Sequence, residues 1–185
     1  MRVIAGIAKG MTLHAPHRGI VRPTSERVRE AVFSSLGERV ISASVLDLYA
    51  GTGSLGIEAA SRGATSITFV EDAQPALKSL RQNLKTFQQG REISCELTVV
   101  CADVRAELKK LAEAQRRFTL IFADPPYGET AQQLLDREEV PHLLDKDGVF
   151  VLESAKRDPL IAGPAWKTLR EADYGDTRVS LLIIG

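Results

Sequence analysis

The chain has 185 residues, of which 44% are hydrophobic and 26% charged, proportions typical of one soluble globular domain. Its 24 Lys and Arg residues balance 24 Asp and Glu residues, so the net charge by itself argues against a nucleic-acid partner. No apolar run approaches the roughly 18 to 20 residues needed to cross a bilayer, and residues 1–6 lack the apolar stretch of a secretory signal, which together predict a cytoplasmic protein.

The charge is unevenly distributed along the chain. Residues 1–29 contain six Lys or Arg residues and one Glu, a net charge of +5, so the remainder has a net charge of −5. A basic arm on an acidic body is typical of a phosphate-binding attachment. A solvated N-terminal extension fits the charge equally well.

The chain offers few residues for a metal site. Its two cysteines, Cys95 and Cys101, form no CxxC or Cys/His cluster, so neither a disulfide framework nor a metal site is predicted, and both are interpreted as small core residues. The three histidines show neither metal-ligand spacing nor a paired carboxylate. We therefore expect no metal and no general base.

The predicted elements begin with a small hairpin formed by the apolar runs at 2–5 and 11–14, followed by a loop at 16–23. Thr24 or Ser25 is predicted to cap a helix that ends at Gly37. Strand and helix patterns then alternate. The predicted strands are 45–49, 66–70, 97–100, 118–123, 149–152, 166–172 and 177–184, and the predicted helices between them are 55–61, 73–87, 104–114 and 131–144.

This alternation predicts a Rossmann-like, doubly wound α/β fold with a mostly parallel seven-stranded sheet. Only a Gly175-Asp176 turn separates the last two strands, which predicts a C-terminal antiparallel hairpin. We expect residues 1–37 to form an N-terminal extension of basic arm and helix, and residues 38–185 to form the main domain.

A glycine-rich loop connects the first strand of the wound sheet to the helix that follows. Residues 51–56 read GTGSLG, and Glu71 follows Gly51 by twenty residues at the end of the next strand. Taken alone, this pattern is typical of a dinucleotide-binding domain. Asp47, four residues before Gly51, argues against one, because a carboxylate at the lip of the loop would repel a pyrophosphate.

S-adenosylmethionine fits these residues better, because it has no phosphate and carries a sulfonium and an ammonium. Asp47 suits its positive charge, Glu71 can accept hydrogen bonds from the two ribose hydroxyls, and Gly51 and Gly53 let the backbone approach closely. Asp103 follows the third strand and can accept a hydrogen bond from the adenine amino group. A helix N-cap is nearly as good an interpretation of Asp103, and the two roles are compatible.

A second motif, DPPY at 124–127, directly follows the apolar strand 118–123. The carboxyl ends of parallel strands line one crevice, so this motif and the glycine loop should face the same cleft. Two prolines stiffen the corner and remove two N–H groups. Asp124 and the Pro125 carbonyl can then accept both N–H bonds of an amino group and direct its lone pair at a methyl donor, while Tyr127 offers a face for a base to stack on.

With these motifs, the chain resembles the class I S-adenosylmethionine-dependent methyltransferases, and DPPY resembles the [DNS]PP[YFW] motif of those that act on planar amino groups. Three further segments resemble the RsmD family of bacterial small-subunit ribosomal RNA guanine-N2 methyltransferases. They are RPTSERVRE at 22–30, VLDLYAGTGSLGIEAASRGA at 45–64 and YGDTRVS at 174–180.

The RsmD resemblance implies methyl transfer to the exocyclic N2 of one guanine in 16S ribosomal RNA, within an assembled or partly assembled 30S subunit, by a monomer. It implies cofactor binding by Asp47, Gly51, Gly53, Glu71 and Asp103. It also implies catalysis by Asp124 and Pro125 with Tyr127 stacking, and an RNA-holding role for residues 1–29.

Alternatives to this interpretation remain open. An amino-group methyltransferase acting on DNA adenine or protein glutamine would share the DPPY motif, a non-catalytic RNA-binding assembly factor would share the fold, and a nicotinamide oxidoreductase would share the glycine loop. Two single residues are also ambiguous. Glu153, at the end of the fifth strand, either borders the cleft or, as we favour, is a solvated strand end, and Trp166 is interpreted as a core residue.

Overall fold

A computed structural model describes residues 1–15, 25–90, 92–126 and 130–185. Seven strands form one sheet in the order β3-β2-β1-β4-β5-β7-β6. The first five strands run parallel, and β7 pairs antiparallel with both β5 and β6. The strands are β1 (Ser44–Leu48), β2 (Ser66–Glu71), β3 (Glu96–Cys101), β4 (Phe118–Ala123), β5 (Leu144–Ala155), β6 (Trp166–Tyr174) and β7 (Thr177–Ile184). The predicted fold class is confirmed.

Within the described residues, six α-helices cover the two faces of the sheet. They are α1 (Glu26–Leu36), α2 (Ser54–Ser61), α3 (Gln74–Gln88), α4 (Val104–Glu113), α5 (Thr130–Leu135) and α6 (Glu139–Leu143), and a short 3-10 helix covers Gly37–Val40. Residues of α1, α2 and α3 pack in one hydrophobic cluster and residues of α4, α5 and α6 in another. The central strands are therefore buried on both faces, which explains their continuous apolar sequences.

The predicted helix over 131–144 is wrong in one respect, because the structure divides it into α5 and α6. Residues 136–138 separate the two helices, and Pro141 lies in the first turn of α6. A proline is tolerated there because the first N–H groups of a helix have no partner within it. None of the helices in the described ranges is long and apolar enough to cross a membrane.

Single residues confirm some predictions and correct others. Ser25 caps α1 by accepting a hydrogen bond from the Val28 N–H at 3.2 Å, whereas Thr24 lies outside the described residues. Trp166 is a core residue whose indole N–H donates to the Leu135 carbonyl. The interpretation of both cysteines as core residues is wrong for Cys101, which is exposed, whereas Cys95 is half-buried and packs against a core cluster. Cys101 is the last residue of β3, an edge strand, which explains its exposure.

The predicted N-terminal hairpin is a single antiparallel bridge, between Arg2 and Thr12, rather than two strands. Its backbone docks on α2 through two buried side chains. Glu58 accepts hydrogen bonds from the N–H groups of Ile4 and Ala5, and Ser61 accepts one from Ala8 and donates one to the Ala5 carbonyl. The first residues of the chain are thus fixed to the main domain.

Arg29 gives the N-terminal helix a second, charged anchor. Its side chain is fully buried, and one of its guanidinium nitrogens donates to the Arg2 carbonyl at 2.6 Å. The expectation that residues 1–29 act as a basic arm is therefore wrong for Arg29, which is inaccessible to RNA phosphates. Arg18 and Arg22 lie outside the described residues. The division at residue 37 stays a prediction, and side chains from both sides of it share one hydrophobic cluster.

Candidate active site

One row of residues crosses the carboxyl ends of four neighbouring strands. In the sheet register, Val70, Leu48, Ala123 and Leu152 lie side by side on β2, β1, β4 and β5. The four residues that follow these along the chain therefore form a second row. Its members are Glu71, Tyr49, Asp124 and Glu153. The row lies where the chain reverses its winding between β1 and β4, the position at which ligands bind to sheets of this type.

A cavity of about 540 Å³ opens over this row, a size typical of a site for a small organic molecule. The glycine loop, the end of β2 and the Asp124 corner form its walls. Five acidic side chains line it, and no Lys or Arg of the described residues does so. The five are Asp47, Glu71, Asp72, Asp124 and Glu153. The cavity should therefore favour a cationic ligand over a phosphate.

Asp47 lies beneath the glycine loop rather than at its lip. The residue is 2% exposed, and its carboxylate accepts a hydrogen bond from the Gly56 N–H at 2.9 Å. Burial and the negative charges of Asp124 and Glu71 raise the pKa of Asp47, the hydrogen bond from Gly56 lowers it, and the net result is a pKa of about 8. Asp47 is thus largely protonated near neutral pH until a positive charge enters the cavity.

Glu71 shapes the loop as well as lining the cavity. One carboxylate oxygen accepts from the Gly51 N–H at 2.7 Å. The other accepts from the N–H groups of Asp72 and Ala73, at 3.1 and 2.9 Å. A carboxylate has about four acceptor positions and three are in use, so Glu71 can still accept a hydrogen bond from a ligand's hydroxyl group.

Two predicted cofactor residues have structural partners and do not line the cavity. Gly53 has a φ of 79°, and a Cβ there would lie 2.4 Å from a methyl group of Leu80, so the position requires glycine for the loop to pack on α3. Asp103 is exposed and caps α4, accepting from the Ala106 N–H at 3.0 Å. Cofactor contacts by Gly53 and Asp103 stay predictions.

The proline corner lies in the same cavity as the glycine loop. Asp124, Pro125 and Pro126 all line it. Asp124 is partly exposed and Pro125 is buried, so a carboxylate is held beside a rigid backbone segment. Tyr127, predicted to stack on a base, lies outside the described residues.

Glu153 corrects a further expectation. It is 4% exposed and lines the cavity, so its interpretation as a solvated strand end is wrong. The guanidinium of Arg29 attracts it electrostatically. Strand β5 continues two residues beyond Glu153, to Ala155, and pairs Glu153 with Val179 of β7, which the apolar run of the sequence does not reveal.

Other cavity residues escaped the sequence analysis altogether. Ser25 and Val28 of α1 line one side, and Tyr174 and Thr177 of the C-terminal hairpin line another. Each lies far along the chain from the glycine loop, and the local sequence gives no sign of the contact. The RPTSERVRE and YGDTRVS segments, by contrast, contain all four of these residues, and those segments were the available signal.

The sequence comparisons extend over almost the whole chain. The family model described as "Conserved hypothetical protein 95" matches residues 1–183. "Ribosomal RNA small subunit methyltransferase D" of Haemophilus influenzae is 32% identical over 176 residues, which cover 95% of this chain and 89% of that protein. The chain belongs to the RsmD family.

Two further relatives of this RsmD-family protein agree with that conclusion. The Bacillus subtilis protein "Putative rRNA methyltransferase YlbH" is 35% identical over 184 residues, covering 98% of this chain and 97% of that one. A solved Escherichia coli structure, "Putative methyltransferase yhhF", superposes with a TM-score of 0.82 and 26% identity, covering 100% of this chain and 97% of its own. These names support a methyltransferase with the class I fold.

Proposed function

We propose that this protein transfers the methyl group of S-adenosylmethionine to the exocyclic N2 of a guanine in small-subunit ribosomal RNA. The observation that supports this most is that Asp124 and Pro125 line the same cavity as Gly51 and Glu71. A corner that accepts hydrogen bonds from an amino group and a loop that binds the cofactor would then serve one reaction. The names of the Haemophilus and Bacillus relatives support ribosomal RNA as the substrate.

The residues of the cavity fit S-adenosylmethionine. Five carboxylates without a described basic residue suit a ligand with a sulfonium and an ammonium and disfavour a pyrophosphate. Glu71, at the end of β2, retains acceptor capacity for a ribose hydroxyl. When bound, the cofactor supplies an electrophilic methyl group on a positively charged sulfur.

The protein's contribution to the reaction is orientation and electrostatic stabilisation. The amino nitrogen of guanine is a weak nucleophile, because its lone pair is delocalised into the ring. Hydrogen bonds from its two N–H groups to Asp124 and to the Pro125 carbonyl would turn the lone pair toward the methyl carbon and stabilise the charge that develops on nitrogen. The amino group then loses a proton to water.

Labelled methyl transfer tests the proposal. Tritiated S-adenosylmethionine is incubated with the protein and with small subunits from cells that lack it, duplex DNA or a release-factor protein. We expect label in the subunits alone, and N2-methylguanosine when mass spectrometry maps the modified position. Label only in DNA or protein would favour the alternative amino-group substrates. No transfer to any of them would favour a non-catalytic assembly factor.

The raised pKa of Asp47 predicts how cofactor affinity depends on pH. S-adenosylmethionine favours ionised Asp47, so its binding releases a proton and strengthens as the pH rises. S-adenosylhomocysteine has a neutral sulfur and lacks this effect. The Kd of S-adenosylhomocysteine divided by the Kd of S-adenosylmethionine should therefore rise several-fold between about pH 6 and 8, and it should level off above about pH 8.

Calorimetric titration with both ligands measures this ratio, and the ammonium group, which both share, cancels from it. Asp47→Asn should remove the pH dependence, because an amide does not titrate. A wild-type ratio that stays constant over the same pH range would contradict the assignment.

A further inference from the structure

Glu153 is a cavity residue that the proposed reaction does not use. It occupies the position next to Asp124 in the row across the strand ends, on the neighbouring strand β5. Neighbouring strands lie about 4.8 Å apart, so a group bound to Asp124 can also reach Glu153. The side chain is 4% exposed yet lines the cavity, so its accessible surface faces a ligand rather than bulk solvent.

Glu153 interacts with a buried positive charge, that of Arg29. A carboxylate with a purely structural role would not require such a partner. The guanidinium is fully buried and is attracted by Glu58, Glu26 and Glu153. Of these three carboxylates, only Glu153 lines the cavity. A carboxylate oxygen at this position can accept a hydrogen bond from a bound ligand.

Guanine presents adjacent donors on its Watson–Crick edge. The ring N1–H lies next to the exocyclic N2 amino group, whereas adenine and cytosine have an acceptor nitrogen at the corresponding ring position. An acceptor beside the amino-binding corner therefore matches guanine and repels the other two amino-bearing bases. Two hydrogen-bond acceptors that face each other in a buried site disfavour binding, which is a strong source of discrimination between the bases.

We propose that Glu153 accepts a hydrogen bond from N1–H of the target guanine and so selects guanine as the methylated base. This inference rests on the proposed function. Asp124 and Pro125 hold the amino group, and Glu153 holds the ring nitrogen beside it.

The test changes one hydrogen-bonding group on the base and one on the protein. Small-subunit RNA is ligated with either guanine or 2-aminopurine at the mapped position and assembled into subunits. 2-Aminopurine keeps the N2 amino group but has an acceptor at N1. The kcat/KM ratio of guanine over 2-aminopurine is measured for the wild type and for Glu153→Gln, whose amide can donate to that acceptor.

We expect this ratio to fall by about 10- to 100-fold in Glu153→Gln, the size of one hydrogen-bond match in base discrimination. Comparing the two proteins on the same pair of bases cancels the intrinsic reactivity of each base. Glu58→Gln is the matched control, because it removes a charge near Arg29 from a residue that does not line the cavity. Its ratio should equal that of the wild type.

An unchanged ratio in folded Glu153→Gln, with both activities reduced equally, would overturn the proposal and leave Glu153 a structural partner of Arg29. If that variant does not fold, the wild type alone can still contradict the proposal. It should methylate 7-deazaguanine, which keeps N1–H, like guanine and should discriminate against 2-aminopurine. Equal use of all three bases overturns the proposal, whereas failure to methylate guanine at all overturns the proposed function instead.

Discussion

Asp124→Ala should lower kcat for methyl transfer by about 10²- to 10³-fold, the usual cost of removing one group that stabilises developing charge. The Kd for S-adenosylmethionine should stay nearly unchanged, because Asp124 would contact the amino group rather than the cofactor. Single-turnover assays on small subunits measure the first quantity and calorimetry the second.

Asp124→Asn is the conservative counterpart. Its side-chain oxygen still accepts a hydrogen bond, and the [DNS]PP[YFW] motif that this corner resembles admits Asn at the same position. We expect it to retain much more activity than Asp124→Ala. Full activity in Asp124→Ala would remove the corner from the chemistry, and a large loss of cofactor affinity would reassign Asp124 to the cofactor site.

Arg29→Leu should lower the free energy of unfolding by about 3 to 5 kcal/mol, the usual cost of removing one partner from a buried charge cluster. Glu153 would lose the attraction of this guanidinium, whereas Glu58 would keep its ion pair with Arg62 at 2.7 Å. The substitution would also remove the hydrogen bond to the Arg2 carbonyl. Urea unfolding at fixed pH measures the difference.

Arg27→Leu is the control, since Arg27 is exposed on the same helix. Its effect should stay within about 0.5 kcal/mol, as for most surface substitutions. Similar losses in the two variants would show that the charge of α1, rather than the buried position of Arg29, determines stability.

Features governed by local sequence could be predicted. The alternating strands and helices follow from hydrophobic periodicity, and the turn at Gly175 and Asp176 is too short for a crossover helix. The convergence of Gly51, Glu71 and Asp124 on one cavity follows from parallel topology, which brings the carboxyl ends of all the parallel strands to one edge.

Features governed by contacts between distant parts of the chain could not be predicted from the sequence. A charge count of the first 29 residues treats Arg29 as equivalent to Arg27, yet one is buried and the other exposed. The apolar run 149–152 suggests that the strand ends at Glu153, but β5 continues to Ala155 and pairs Glu153 with Val179 of β7, so Glu153 is a buried strand residue. The break between α5 and α6 was also missed, because the apolar periodicity continues on both sides of it.

The contacts of the first fifteen residues have a consequence for biosynthesis. Asn83 of α3 exchanges two hydrogen bonds with the His14 backbone and donates a third to the Thr52 carbonyl in the glycine loop. A chain made on the ribosome emerges from its amino end, so this opening segment must wait for nearly seventy more residues before its partner exists. The segment around His14 can thus reach its final place only after α3 has been synthesised.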